Sequence, residues 1–284
     1  MSEILFEGGR MPFIEVNSNK LYYEFTGPED KPLILQFGGS LFGRHNFNSV
    51  NDGFRKNFRL LSFDASGYGQ SDRPIINHSV ERWAHEGAGL LDALGIDKVF
   101  IHGTSMGGMV TLAFASLYPD RMIAGCADCA FARPDVHRKT LFRNWRNMSD
   151  SMPIYELSDL VTIQAVGATF LEENPGTFDA VRNLVAMNDP YTVRQACFAM
   201  ENMDLEPLIK NIKSPLLMTN GTHDIMTPPD LAPSGYSARQ IAAALPNIAT
   251  LYEFPDIGHA DLLEAPEEAT EVITKFFQKV IAGR

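Results

Sequence analysis

The chain has 284 residues and a net charge of −11, with 45% hydrophobic and 21% charged residues. That length and balance allow one large core with an inserted subdomain, and the acidity disfavours nucleic acid or anionic membranes as partners. No apolar run is long enough to span a bilayer, and residues 1–7 are acidic without the basic flank and apolar segment of a secretory leader, so a cytoplasmic location is expected.

Residues 13–16 and 21–25 flank Asn17-Ser18-Asn19-Lys20 and predict a hairpin at a sheet edge. Residues 32–37 predict a buried strand that runs into Gly38-Gly39-Ser40. Residues 60–64 predict another, ending in Ala65-Ser66-Gly67-Tyr68-Gly69-Gln70-Ser71. Residues 79–94 carry Val80, Trp83, Ala84, Leu90, Leu91 and Leu94 at helical spacing, with Gly95 as the stop. A short apolar run from Val99 passes through Gly103-Thr104-Ser105-Met106-Gly107 and continues in helix formers to Tyr118, ending at Pro119. Residues 123–129 predict a further strand. From 132 to 206 helical patterns take over, with Met148, Met152, Met187, Met200 and Met203 among them. The strand rhythm returns at 215–220, then a helix over 236–245, a last strand at 249–254, and a last helix opening with Pro266-Glu267-Glu268. The alternation predicts an α/β fold: a mostly parallel sheet with helices on both faces, a core of residues 1–131 and 207–284, and a helical insertion at 132–206.

Strand, abrupt turn and helix around Ser105 are the setting that holds a serine in a strained conformation, its hydroxyl clear of the sheet edge. A Cβ at Gly103 or Gly107 would collide with the neighbouring strand or helix as the chain doubles back. Ser105 is the candidate nucleophile. Its hydroxyl needs a base, and the base needs an acid to orient it. Of the seven histidines, His259 lies between the last strand and the last helix, where a parallel sheet brings it to the same edge as Ser105. His102 is expected inside; His45, His78, His85 and His137 are expected at the surface. Asp224 is the favoured acid, because it follows a strand and gives the chain order Ser, Asp, His. Asp128, at the end of the preceding core strand, is the alternative. Two backbone donors must receive the oxygen that becomes negative in a tetrahedral intermediate. The N–H of Met106 and that of Gly39 fit, with Ser40 as second choice for the latter.

Cys126-x-x-Cys129 has no second pair to complete a zinc site and lies at a strand end rather than a helix start, so both are read as buried thiols. No histidine or carboxylate pattern has metal-ligand spacing, and the glycine loops lack phosphate-binding patterns, so no metal or cofactor is expected.

Gly38-Gly39, Asp64-Ala65-Ser66-Gly67-Tyr68-Gly69-Gln70-Ser71, Gly103-Thr104-Ser105-Met106-Gly107-Gly108, Gly221-Thr222-His223-Asp224 and Gly258-His259 together resemble the α/β-hydrolase family. The chain is most similar to its branch of 3-oxoadipate enol-lactonases, small esterases and cofactor-free haloperoxidase-like enzymes. The resemblance implies an eight-stranded sheet and makes residues 132–206 a cap that covers the site and chooses the substrate. One departure is Phe37-Gly38, where many members have His-Gly. Epoxide hydrolases and haloalkane dehalogenases of the family attack through an aspartate at the elbow; a serine there implies an acyl-enzyme. The expected activity is hydrolysis of a small-molecule ester or lactone. Carbon–carbon bond hydrolases of ring-cleavage products carry the same Gly-x-Ser-Met-Gly-Gly elbow and are the rival enzymes. A ligand sensor with slow turnover is the rival from another class. The expected partner is a small-molecule substrate, with no nucleic acid and no membrane. Arg133, Arg138, Lys139, Arg143 and Arg146 form a basic stretch whose simpler reading is a solvated helix face, with attraction of an anionic substrate as the alternative. The methionines of the insertion suit a malleable pocket lining or ordinary core filling.

Overall fold

The computed structural model describes residues 12–283; the reading of residues 1–7 lies outside the described residues. Eight strands form one sheet in the order β1 (Phe13–Val16), β2 (Asn19–Thr26), β4 (Arg59–Phe63), β3 (Leu33–Phe37), β5 (Val99–Thr104), β6 (Met122–Asp128), β7 (Leu216–Gly221) and β8 (Ala249–Phe254). The pairs β1–β2 and β2–β4 are antiparallel, and all pairings from β4 through β3 to β8 are parallel. The antiparallel edge starts from a tight turn: Asn17 and Ser18 take positive φ values of 51° and 64°, the two-residue geometry that matches strand twist. Asn19 and Lys20, assigned to the turn by sequence, are instead the first residues of β2, paired with Val16 and Glu15.

Parallel neighbours need crossovers, and helices supply them on both faces. On one face α2 (Val80–Ala93) and α3 (Met106–Leu117) pack over Leu35, Phe37, Val99 and Ile101. On the other, α1 (Asn51–Phe54) and α12 (Pro266–Ala282) pack over Ile34, Leu60, Phe100 and Cys126. Successive residues of β3 and β5 therefore feed opposite cores, as a strand buried on both sides must. Ser79 caps α2 by accepting from the Arg82 N–H at 3.2 Å, and Gly95 takes φ 69° beyond its end.

Between β6 and β7 run α4 (Val136–Ser151), α5 (Ile154–Ala165), α6 (Ala168–Glu173), α7 (Thr177–Val185) and α8 (Pro190–Asn202). Helix α4 packs on α8 and α5 on α7. The one-turn α9 (Glu206–Ile209) leads back to β7, and α10 (Ala238–Ala244), opened by a Ser237–Gln240 capping box, precedes β8. A further single turn, α11 (Asp261–Glu264), lies between β8 and α12. Among the described residues no helix is long and apolar enough to cross a membrane. All three cysteines are free and buried, as the sequence indicated.

Candidate active site

Strand β5 delivers the chain to Ser105 at φ 56°, ψ −120°, a conformation that a non-glycine residue holds only when its surroundings impose it. The Ser105 N–H donates to the Asp128 carbonyl oxygen at 2.9 Å, and the Ser105 carbonyl accepts from the Met109 N–H at 3.1 Å. Space sets the glycines on either side. A Cβ on Gly107 would overlap the Phe37 carbonyl oxygen, and one on Gly103 the Gly107 carbonyl oxygen.

Three distant segments meet at this edge. His259 Nε2 lies 3.0 Å from Ser105 Oγ, and His259 Nδ1 lies 2.9 Å from Asp224 Oδ2. Asp224 Oδ1 accepts from the Met226 and Thr227 N–H groups at 2.7 and 2.9 Å, and its Oδ2 accepts from the Thr227 hydroxyl at 2.7 Å. Thr227 Oγ1 also sits 3.0 Å from His259 Nδ1. Sequence reasoning missed Thr227; a threonine three residues after an aspartate in a turn was the available signal. The His259 loop is fastened from above, because Ala165 O, at the end of α5, accepts the N–H groups of His259 and Ala260 at 2.8 and 3.0 Å.

Burial alone would push the Asp224 carboxyl up, but the His259 ring and the Thr227 donors hold it below the ordinary carboxylate value. Burial likewise opposes charge on His259; the Asp224 carboxylate overrides it and holds the ring above its ordinary 6.5. An ionised acid orienting a ring that accepts a proton readily is the arrangement general-base chemistry requires.

Asp128 ends β6 fully buried, but its carboxyl turns to other partners. Its Oδ1 accepts from the Thr219 hydroxyl at 2.8 Å, and the buried Asp261 carboxyl lies beside it, within 4.8 Å. Two adjacent carboxylates would leave Oδ2 of each buried without a partner, and one shared proton satisfies both. Burial and the Asp128 carboxyl push Asp261 well above the ordinary carboxylate value, the direction that favours a proton on the pair. Cys129 Sγ donates to His259 O at 3.4 Å and to Asp261 Oδ1 at 3.8 Å. Burial and the surrounding acids push that thiol well above its usual range, so it is a neutral spacer.

Met106 opens α3, so its N–H has no intrahelical acceptor. The Gly39 N–H, the other candidate donor, gives its hydrogen to Asn46 Oδ1 at 2.8 Å. An amide oxygen of the chain itself thus occupies that donor, a feature without a sequence signal. The Tyr68 hydroxyl holds the same loop by donating to Ser40 O at 2.9 Å.

A cavity of about 250 Å³ opens over Ser105 and His259. Its floor includes Gly39, Ser40 and Thr104, and its roof is Trp145, Val161, Val166, Val181 and Leu184. Two histidines differ from expectation. His45 is half-buried in the cavity wall, and His78 is buried, stacked on Trp83 with ring centres 5.0 Å apart. Burial pushes His78 down to about 4. Their positions in a loop and before a helix were readable, but not what packs on them. His102 is inside, edge-on to Phe47 and Phe54, while His85 and His137 are exposed. Of the methionines singled out in the insertion none lines the cavity; Met200 and Met203 fill the core, and Met226 lines the wall instead. In the basic stretch Lys139 is exposed, and the four arginines are paired. Arg143 and Arg146 both bind Glu201, at 2.8 and 2.7 Å, Arg138 binds Asp135 at 3.1 Å, and Arg133 pairs with Glu206.

Comparison with known proteins bears on the family and the fold. A family model described as the alpha/beta hydrolase fold matches residues 31–266. The chain is 26% identical over 280 residues to a 2-hydroxy-6-oxononadienedioate/2-hydroxy-6-oxononatrienedioate hydrolase of Burkholderia vietnamiensis, covering 92% of this chain and 91% of that one. Its fold is similar to the enol-lactonase from Burkholderia xenovorans, with a TM-score of 0.84 and 24% identity over 94% of this chain and 100% of that one. It is also similar to a thermophilic esterase from Thermogutta terrifontis, with a TM-score of 0.81 and 24% identity over 94% and 98% of the two chains. With its eight-stranded, mostly parallel sheet and a family match that runs from before β3 to the start of α12, the chain belongs to the alpha/beta hydrolase fold family.

Proposed function

We propose that this hydrolase cleaves small-molecule esters or lactones through an acyl-enzyme on Ser105. The observation that supports the reading is the unbroken relay from Ser105 Oγ to His259 Nε2 at 3.0 Å and from His259 Nδ1 to Asp224 Oδ2 at 2.9 Å. His259 takes the Ser105 proton as Oγ attacks the carbonyl carbon, and Asp224 stabilises the imidazolium that forms. The oxyanion displaces Asn46 Oδ1 and is received by the N–H groups of Gly39 and Met106. The imidazolium then protonates the departing alkoxide, which in a lactone stays tethered to the acyl group. Water, deprotonated by His259, cleaves the acyl-enzyme and frees Ser105. No resident metal or cofactor takes part in this route.

Residues 132–206 serve as the cap, which bears on the base directly through the Ala165 carbonyl. The acidic composition suits a cytoplasmic enzyme acting on small molecules, without nucleic acid or membrane as partner. Carbon–carbon bond hydrolysis of ring-cleavage products is the second reading, supported by the likeness to the dienedioate hydrolase. A panel of acyl esters, lactones and ring-fission dienones tests both. Rapid multiple turnover of esters or lactones supports the proposal, and turnover confined to dienones supports the second reading. A single slow turnover with retained ligand contradicts both and points to a sensor.

A further inference from the structure

We infer that the site selects uncharged, apolar acyl groups and rejects those that end in a carboxylate. The inference rests on the acyl-enzyme reading and names its substrate class. A carboxylate taken out of water needs a cation or several aligned donors to replace its hydration. Among the described residues no lysine or arginine lines the cavity. The roof that closes over Ser105 offers Trp145, Val161, Val166, Val181 and Leu184, and the opposite wall Leu262 and Leu263.

Basic side chains next to lining residues are committed elsewhere, Arg44 to Asp64 and Arg182 to Asp159, and so are the arginines of the basic stretch. Arg143 and Arg146 are tied to Glu201, Arg138 to Asp135 and Arg133 to Glu206. Apart from the base His259, whose charge Asp224 balances, the lining histidine is His45, and burial beside Arg44 favours its neutral form. Beneath the site the field has the opposite sign. Asp224, the Asp128–Asp261 pair and Glu264 surround His259, so an anion entering from above meets apolar walls and net negative charge below. Uncharged polar side chains also line the cavity, among them Asn46, Thr162 and Thr177, while Asn48 and Ser49 are exposed and can hydrate a leaving alcohol. Lactones and ring-cleavage products that carry a carboxylate are therefore poor substrates, and neutral esters of similar size good ones.

Three esters with a common leaving group test this: 4-nitrophenyl pentanoate, mono-4-nitrophenyl glutarate, which carries a carboxylate where the first has its terminal methyl, and methyl 4-nitrophenyl glutarate as the neutral control for length and polarity. The expected kcat/KM for the acid, corrected for spontaneous hydrolysis, is about 100-fold below that of the pentanoate, with the diester within about tenfold of it. A penalty on the acid below about tenfold overturns the inference. Placing a cation in the roof gives a second arm. Leu184→Arg, or Thr177→Arg if the first fails to fold, is expected to narrow the acid-to-pentanoate gap by about tenfold. An unchanged gap in a folded variant overturns the assignment of selectivity to this wall. If none of the three esters is turned over, the acyl-enzyme reading itself falls and the inference with it. Equal turnover of all three removes the inference alone.

Discussion

The floor of the cavity and its roof are built in opposite ways. Below, the polar groups are tied to one another: Asp224 accepts from two N–H groups and the Thr227 hydroxyl, His259 reaches Ser105 and Asp224, and Asp128 accepts from Thr219 beside the Asp261 carboxyl. Above, α4, α5 and α7 present Trp145, Val161, Val181 and Leu184, and charged residues of these helices pair away from the cavity, as Arg182 does with Asp159 at 2.6 Å. Hydrogen bonds fix direction, whereas apolar walls fix volume and exclude charge. The floor is thus suited to chemistry and the roof to selection. The two halves meet at the Ala165 carbonyl, through which the roof steadies the base.

If the division is correct, floor substitutions lower kcat and roof substitutions alter KM. Ser105→Ala is expected to lower ester kcat by on the order of 10,000-fold or more, with the thermal midpoint nearly unchanged. Retained turnover in that variant would break the comparison at its centre. Asp224→Asn is expected to cost about 1,000- to 10,000-fold in kcat, because the amide favours the wrong ring tautomer and withdraws the charge that stabilises the imidazolium. A loss below about tenfold in steady-state assays would show that another acid serves His259.

On the roof, Leu184→Ala is expected to raise KM for an apolar ester by a few-fold, of the size of lost apolar contact, with kcat nearly unchanged. A matching fall in kcat would blur the division.

The smallest effect is in pH dependence. His259 must be neutral to act as base, and its value is raised above 6.5, so kcat/KM falls as pH drops through that raised value. The same shift acts oppositely on stability: the charged ring favours the fold below 6.5, and that contribution is lost as pH rises through the raised value. Asp128→Asn and Asp261→Asn should each leave the acidic limb in place, since an amide replaces one member of a proton-sharing pair and one charge remains. The double variant removes that charge and should lower the limb by about half a unit. Single variants that each shift the limb as far as the double would contradict the shared proton.

Much of the floor was legible in the sequence because steric necessity writes it there. Only glycine fits at positions 103 and 107, and strand ends in a parallel sheet deliver Ser105, Asp224 and His259 to one edge. The rest depends on how loops fold back and on which side chains they bring together. Asn46 on the Gly39 N–H and the reach of Thr227 to His259 are loop contacts, and Asp261 beside Asp128 is a tertiary one; none has a periodic signature. The single turns α1 and α11 are too short to register as helical patterns. The insertion read correctly as helical, but which face of α4 or α5 turns inward is settled by packing. Hence the methionines drew attention there while Trp145 and Val161 form the roof.

The most direct test of the central claim is reaction of the intact protein with a fluorophosphonate, followed by peptide mapping. The account requires stoichiometric adduct on Ser105, slowed strongly in Asp224→Asn, and ester turnover lost in step with labelling. An adduct on another residue, or full turnover by protein whose Ser105 is wholly modified, would contradict it.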